Sequence, residues 1–157
     1  GHHLDKLVTL KFERCCNMDM SFTSFLRACP AVKNFSMRGS VLQDYKPLPT
    51  TSYWNQLKVL DISGTGYFPQ ARFEEVLKSV PDCSITHLYM ERCLRIPRIT
   101  YDKLKIEFVS VAGLRDHEHP TVLAFDCIRN WAALPSLKDM NASGCQMSQA
   151  QREQLVT

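Results

Sequence analysis

The stretch Leu57-Lys-Val-Leu-Asp-Ile-Ser-Gly-Thr65 has apolar residues at its first, fourth and sixth positions and a small polar residue at its ninth. The same pattern occurs without gaps in four other segments, which are Leu7-Val-Thr-Leu-Lys-Phe-Glu-Arg-Cys15, Val32-Lys-Asn-Phe-Ser-Met-Arg-Gly-Ser40, Ile85-Thr-His-Leu-Tyr-Met-Glu-Arg-Cys93 and Leu137-Lys-Asp-Met-Asn-Ala-Ser-Gly-Cys145. We call this nine-residue pattern the repeat frame and number its positions one to nine. Apolar residues at alternate positions lie on one face of a strand. Because one short strand cannot bury that face alone, the frame predicts strands that stack side by side.

The spacing of the frames indicates one more, degenerate repeat. The residues at position four are Leu10, Phe35, Leu60, Leu88 and Met140, with spacings of 25, 25, 28 and 52 residues. The last spacing is twice 26, so we expect one further repeat between Leu88 and Met140. The best candidate strand in that interval is Leu104–Val109, which is out of register with the 26-residue period.

The segments between frames show helical periodicity. Apolar residues recur at i, i+3 and i+4, in the sets Phe22, Phe25 and Leu26; Phe73, Val76, Leu77 and Val80; and Cys127, Ile128, Trp131 and Leu134. A proline that would end the helix follows each set, at Pro30, Pro81 and Pro135. The Ser148–Val156 segment is predicted to be a polar C-terminal helix. Strands that alternate with helices predict a parallel sheet with right-handed crossovers.

This arrangement resembles the leucine-rich-repeat family, in particular its cysteine-containing and ribonuclease-inhibitor-like branches. Cys15, Cys93 and Cys145 occupy position nine, where the cysteine-containing branch has cysteine, and Ser40 and Thr65 are its usual replacements. The resemblance implies an α/β, right-handed, curved leucine-rich-repeat solenoid with parallel strands on the concave face and helices on the convex face. It covers residues 4–157 as a single domain of about five to six repeats, after a tag remnant at residues 1–3, and is compatible with a fragment of a longer protein.

Composition narrows the functional class. The net charge is +3 and 45% of the residues are hydrophobic, which argues against a disordered chain and does not favour nucleic acid. No apolar run is long enough for a membrane span. Seven cysteines without a Cys-x-x-Cys pair indicate free thiols in an intracellular protein, cytoplasmic or nuclear.

Catalytic and ligand sites have little support in the sequence. No phosphate-binding glycine loop or Gly-x-Ser-x-Gly elbow is present. His117-Glu118-His119 offers two metal ligands but no third nearby. Hence we predict no enzymatic activity, no metal, no cofactor and no small-molecule substrate.

The strand residues that alternate with the core positions are the main candidate binding residues, because they face outward from the sheet. The set predicted to contact a protein partner is Lys11, Glu13, Asn34, Ser36, Arg38, Asp61, Ser63, His87, Tyr89, Glu91, Asp139 and Asn141. The competing interpretation is a solvated polar face that binds nothing. A second candidate is the Leu42–Tyr53 segment, with two prolines and several apolar residues, which either packs on the core or binds a partner.

The sequence thus favours a non-catalytic protein-interaction domain that uses the concave sheet face. One alternative is the substrate-recognition part of a ubiquitin-ligase adaptor, because cysteine-containing repeats resemble those of F-box proteins. The other is a structural or assembly subunit that docks through its uncapped first repeat, with exposed apolar surface near Leu4, Leu7 and Leu10.

Overall fold

The frames form the strands of one parallel sheet. The structure is a computed structural model that describes residues 4–15, 28–40, 56–65, 77, 83–93, 96, 102–114, 122–145 and 147–156. Its strands are β1 (Thr9–Lys11), β2 (Asn34–Ser36), β3 (Val59–Asp61), β4 (His87–Tyr89), β5 (Phe108–Ser110) and β6 (Asp139–Asn141). They lie side by side in chain order, and every neighbouring pair is parallel. The predicted α/β class with a parallel sheet is confirmed.

The register aligns position four of every frame in one row. Leu10, Phe35, Leu60 and Leu88 are successive partners across β1 to β4, and the row continues through Val109 to Met140. A further strand therefore lies between Leu88 and Met140, where the spacing predicted one.

The predicted strand within that repeat was misplaced. Residues 104–109 were expected to form it, but the strand is Phe108–Ser110, and Leu104 precedes it. The segment Ile106–Leu114 follows the repeat frame at positions one, four and six, with leucine at position nine. Val109 lies 21 residues after Leu88 and 31 before Met140, so the 26-residue period hid the correct register.

The apolar frame positions form one continuous core. Phe35, Leu60, Leu88 and Val109 are at most 1% exposed, whereas Leu10 and Met140 in the two outermost strands are only half-buried. An interior strand is covered on both sides by neighbouring repeats, while an outer strand is covered on one side.

Two α-helices and one short 3-10 helix (Leu4–Lys6) have their bounds within the described residues. Helix α1 (Val122–Ala132) carries Cys127, Ile128 and Trp131 of the predicted apolar set, Leu134 follows its end, and all four side chains are buried. Trp131 is fully buried. Helix α2 (Gln149–Val156) confirms the predicted C-terminal helix. Its N-terminus is a capping box, in which the Gln151 N–H donates to the Ser148 hydroxyl at 3.2 Å and the Ser148 N–H donates to the Gln151 side chain at 2.9 Å.

Several predictions lie outside the described residues. These are the helix around Phe22–Leu26, most of the Phe73–Val80 helix, the Leu42–Tyr53 segment, His117–His119 and the tag remnant at residues 1–3. Neither α1 nor α2, in the described part of the chain, has the length and hydropathy needed to cross a membrane.

Each strand ends in the same turn, which fixes where the outward side chains stop. Position eight has a left-handed backbone in every frame, at Arg14, Gly39, Gly64, Arg92, Gly113 and Gly144. Glycine adopts this conformation without a steric penalty, whereas arginine does not. In four frames a hydroxyl or thiol at position nine, from Ser40, Thr65, Cys93 or Cys145, then donates to a position-six carbonyl. The Cys145 thiol donates to Val111 O at 3.1 Å and the Ser40 hydroxyl donates to Phe12 O at 2.6 Å.

Candidate functional site

The predicted binding residues lie in three rows on the outward face of the sheet. They occupy positions three, five and seven of the frame, which alternate with the core positions. The position-three row is Thr9, Asn34, Val59, His87, Phe108 and Asp139. The position-five row is Lys11, Ser36, Asp61, Tyr89, Ser110 and Asn141. The position-seven row is Glu13, Arg38, Ser63, Glu91, Ala112 and Ser143.

Arg38 joins three strands through two ion pairs. Its Nη1 lies 3.2 Å from Asp61 Oδ2, which is on β3, and its Nη2 lies 2.9 Å from Glu91 Oε1, which follows β4. The Asp61 and Glu91 side chains are 18% and 19% exposed, while Arg38 is 42% exposed. We call Arg38, Asp61, Glu91 and the serines bonded to them the charged network.

Ser63 and Ser110 add further hydrogen bonds to the charged network. The Ser110 hydroxyl donates to Glu91 Oε2. The Glu91 N–H donates to Ser63 Oγ at 2.9 Å, and the Ser63 N–H donates to Asp61 Oδ1 at 2.9 Å. Together with Arg38, these bonds give each carboxylate two donors, which offsets the cost of withdrawing it from water.

Ser36 and Ser63 were expected to be exposed on the outward face, and this prediction is wrong. Ser36 is 7% exposed and Ser63 is 2% exposed. The Ser36 hydroxyl accepts the Arg38 N–H at 3.3 Å, and Ser63 is bonded within the charged network. These two side chains are short, so the longer side chains beside them cover them. They position Arg38, Asp61 and Glu91 and offer little surface of their own.

The network lowers the pKa of Glu91 and raises the pKa of Arg38. The hydrogen bond from Ser110 is the largest cause that lowers the pKa of Glu91, followed by the bond from Arg38, while desolvation opposes both. The hydrogen bond to Glu91 is the largest cause that raises the pKa of Arg38. Glu91 and Arg38 are therefore held in their charged forms.

An aromatic cluster lies beside the charged network on β4 and β5. The rings of His87 and Phe108 are stacked with centroids 6.0 Å apart, and the rings of Tyr89 and Phe108 are tilted with centroids 5.3 Å apart. All three side chains are half-buried, so each keeps part of its surface open to solvent. His87 and Tyr89 were predicted site residues, and the structure brings them together through Phe108.

Phe108 and Ser110 were missed by the sequence-based prediction. They occupy positions three and five of the Ile106–Leu114 frame, which the expected Leu104–Val109 strand placed in the wrong register. The signal was present, because allowing an apolar residue at position nine recovers this frame from the sequence.

The remaining predicted residues lie toward the two ends of the face. Lys11, Glu13 and Asn34 line a shallow cavity of about 190 Å³ that also reaches Asp61 and Tyr89. At the other end Asp139 is exposed, and the Asn141 side chain accepts a bond from the Ser143 hydroxyl at 2.7 Å. The structure thus brings Arg38, Asp61, Ser63 and Glu91 into direct contact, whereas Asp139 and Asn141 make no side-chain contact with them among the described hydrogen bonds.

Five of the six described cysteines belong to the core. All of them are free, and all except Cys15 are buried. Burial raises the pKa of Cys93 to about 11 and also raises that of Cys145. A thiol that stays protonated is a poor nucleophile and a poor metal ligand.

The described residues also include no group of three or more metal-binding side chains. The described contacts on the outward face are ion pairs, hydrogen bonds and aromatic contacts. Comparisons with protein-family models, with curated proteins and with solved structures found no match to this chain.

Proposed function

We propose that this chain is a leucine-rich-repeat domain that binds a protein partner through the outward face of its sheet and catalyses no reaction. The repeat-family assignment is supported by the frame, which recurs in every strand of the parallel sheet with the same left-handed turn. The position-nine donors that bond a position-six carbonyl add to that support.

The observation that carries the binding proposal is the adjacency of the charged network and the aromatic cluster on β2 to β5. Tyr89 belongs to both neighbourhoods, because its ring contacts Phe108 and its register partner is Asp61. Tyrosine and arginine are, with tryptophan, the residue types enriched among the energetic anchors of protein interfaces. The ion pairs to Asp61 and Glu91 hold Arg38 in place, and the ring of Phe108 packs against Tyr89. Anchors that are ordered before a partner arrives lower the entropic cost of binding.

The test is affinity capture from a cell lysate with the full chain as bait. The double variant Tyr89→Ala/Phe108→Ala removes the aromatic cluster and leaves the charged network intact. We expect its affinity for the captured partner to fall by roughly 30-fold or more, which is the size of effect found for interface anchors. The matched control is Arg129→Ala on α1, whose side chain is 59% exposed.

The proteins captured by the wild type, the aromatic variant and the control are compared, provided that all three have equal melting temperatures. A partner lost only by the aromatic variant supports the proposal. Partners kept equally by wild type and both variants overturn it. The adaptor alternative would be supported if the partner lost with the aromatic cluster is ubiquitylated in a reaction that requires this chain.

A further inference from the structure

A cavity of about 600 Å³ lies at the turns that end β1 to β4, beside the charged network. It is lined by the position-seven and position-eight residues of these four repeats. At position eight the two middle repeats have Gly39 and Gly64, whereas the two outer repeats have Arg14 and Arg92. The cavity is therefore the space above two turns without side chains, with an arginine on either side. We call it the turn cavity.

The backbone beneath the turn cavity is fixed by hydrogen bonds between repeats. The position-eight N–H of each repeat donates to the position-seven carbonyl of the next, as in Arg14 to Arg38 O at 2.8 Å and Gly64 to Glu91 O at 2.8 Å. Because these backbone donors are already used, recognition of a ligand falls to the side chains. Three strand spacings separate the turns of β1 and β4, which places the backbones of Arg14 and Arg92 about 14 Å apart.

Arg14 and Arg92 are placed to bind a negatively charged ligand. Both residues are exposed to solvent. The stem of Arg14 lies over Gly39, with its Cγ 3.4 Å from the Cβ that an alanine would add there. A guanidinium presents several N–H donors in one plane and forms charge-assisted pairs with carboxylates. Two such groups at one cavity favour a ligand with two negative charges.

The backbone of the two arginines gives independent support for a role in binding. Their φ angles are 56° at Arg14 and 55° at Arg92, and these are the non-glycine residues with positive φ within the described part of the chain. Glycine occupies this position in the other four repeats, so the turn does not require arginine. A strained backbone that the fold does not need is typical of functional sites.

The charges inside the turn cavity restrict its ligand. Between the two arginines, Arg38 and Glu91 form an ion pair at 2.9 Å and neutralise each other. Glu13, next to Arg14, adds a further carboxylate to the lining. A nucleic-acid strand carries a phosphate at every nucleotide, so it brings negative charge against both glutamates. A peptide with acidic residues at two points and uncharged residues between them avoids this repulsion.

We propose that the turn cavity binds an acidic segment of the protein partner, with one carboxylate paired to Arg14 and another to Arg92. An extended peptide advances about 3.4 Å per residue, so acidic residues about four positions apart span the two arginines. This inference rests on the proposed function and adds to it the chemistry of the partner.

The test is the binding of a defined peptide to the full chain, measured by fluorescence anisotropy at low salt. The probe is the labelled nonapeptide Gly-Glu-Glu-Ser-Gly-Ser-Glu-Glu-Gly, which has two glutamate pairs separated by three uncharged residues. We expect a dissociation constant on the order of 100 µM, and no binding of the same peptide with glutamine in place of glutamate. A wild-type chain that does not bind the acidic peptide at concentrations up to about 1 mM overturns the proposal.

The double variant Arg14→Gly/Arg92→Gly removes both guanidiniums and installs the residue that the other repeats have. We expect its affinity for the acidic peptide to fall about tenfold or more, because two charge-assisted pairs are lost. The matched control is Arg129→Ala/Arg152→Ala, which removes the same charge from α1 and α2, outside the lining of the turn cavity. Its affinity should stay within about twofold of the wild type. Equal losses in the two double variants would show a non-specific attraction and overturn the proposal.

A nucleic-acid probe tests the class of ligand. An oligothymidylate of five nucleotides carries the same four charges as the acidic peptide. Weaker binding of the oligothymidylate supports an acidic protein segment, whereas tighter binding overturns that assignment.

The arginine double variant is then used as bait in the lysate capture. Loss of the partner that depends on the aromatic cluster supports an acidic segment in that partner. Retention of that partner overturns this inference and leaves the proposed function standing. The proposed function itself fails if Tyr89→Ala/Phe108→Ala loses no partner, whatever the result with the peptide.

Discussion

Arg38 shows how single residues gain a role from their neighbours across the sheet. Its guanidinium contacts Asp61 on β3 and Glu91, which follows the end of β4. Glu91 accepts one additional bond from the Ser110 hydroxyl, so its charge is satisfied although only 19% of its side chain is exposed. A partly buried carboxylate with several donors contributes more to stability than an exposed ion pair does.

The charged network makes stability depend on pH. The folded state lowers the pKa of Glu91, so its contribution is complete above the ordinary carboxyl value of 4.5 and is lost as the pH falls through the lower folded-state value. We expect Glu91→Gln to reduce the free energy of unfolding by about 1–3 kcal/mol at pH 7. The difference from wild type should shrink below pH 4.5, as measured by urea denaturation across the pH range.

The exposed Lys138–Glu107 pair is the control for this measurement. Its lysine side chain is 74% exposed, so solvent and salt screen the interaction. Glu107→Gln should change stability less than Glu91→Gln, and its effect should disappear in high salt. Equal effects of the two substitutions would show that the charged network has no special energetic role.

The turn that ends each strand is the element that repeats most strictly. Its position-eight residue is glycine in four frames and arginine at Arg14 and Arg92, all with positive φ. Each arginine also packs over the glycine of the following repeat. The Cβ that an alanine would add at Gly113 lies 3.3 Å from Arg92 Cγ, so the turns are stacked tightly.

Substitutions within this turn should act in opposite directions. Arg92→Gly removes an unfavourable left-handed backbone, whose φ is 55°, and is expected to raise stability by about 0.5–1 kcal/mol. Gly113→Ala adds a Cβ at a φ of 67° and should lower stability. Thermal unfolding of the two variants checks both signs, and a destabilised Arg92→Gly variant would show that the arginine side chain outweighs the backbone strain.

At the scale of the whole molecule, the core is built from contacts between successive repeats. Interior strands have fully buried central residues, whereas the outer strands do not. Stability in such a stack depends on each repeat and on its interfaces with the repeats beside it. The interior repeats should therefore be the most sensitive to substitution.

Equivalent substitutions along the sheet test this dependence on position. Leu60→Ala in β3 is expected to cost about 3–5 kcal/mol, because the side chain is fully buried and leaves a cavity. Leu10→Ala at the same frame position in β1 should cost about 1–2 kcal/mol, since that side chain is half-buried. Urea denaturation gives both values, and equal costs would contradict a core whose burial decreases toward its ends.

The sequence by itself determined the features that depend on local periodicity. Five of the strands, the parallel class of the sheet, the apolar face of α1 and the helix after Ser148 all follow from spacings within short segments. A side chain's face on a strand depends only on alternation, so the rows of outward residues were also predictable.

Only the tertiary structure decided which residues meet across the sheet. The pairing of Arg38 with Glu91, the burial of Ser63 and the contact of Tyr89 with Phe108 all join different repeats. Repeats of unequal length conceal lateral neighbours from a search at constant period, as the register of β5 shows. The physical reason is that hydrogen bonding and core packing align the strands at equivalent frame positions, whatever the number of residues between them.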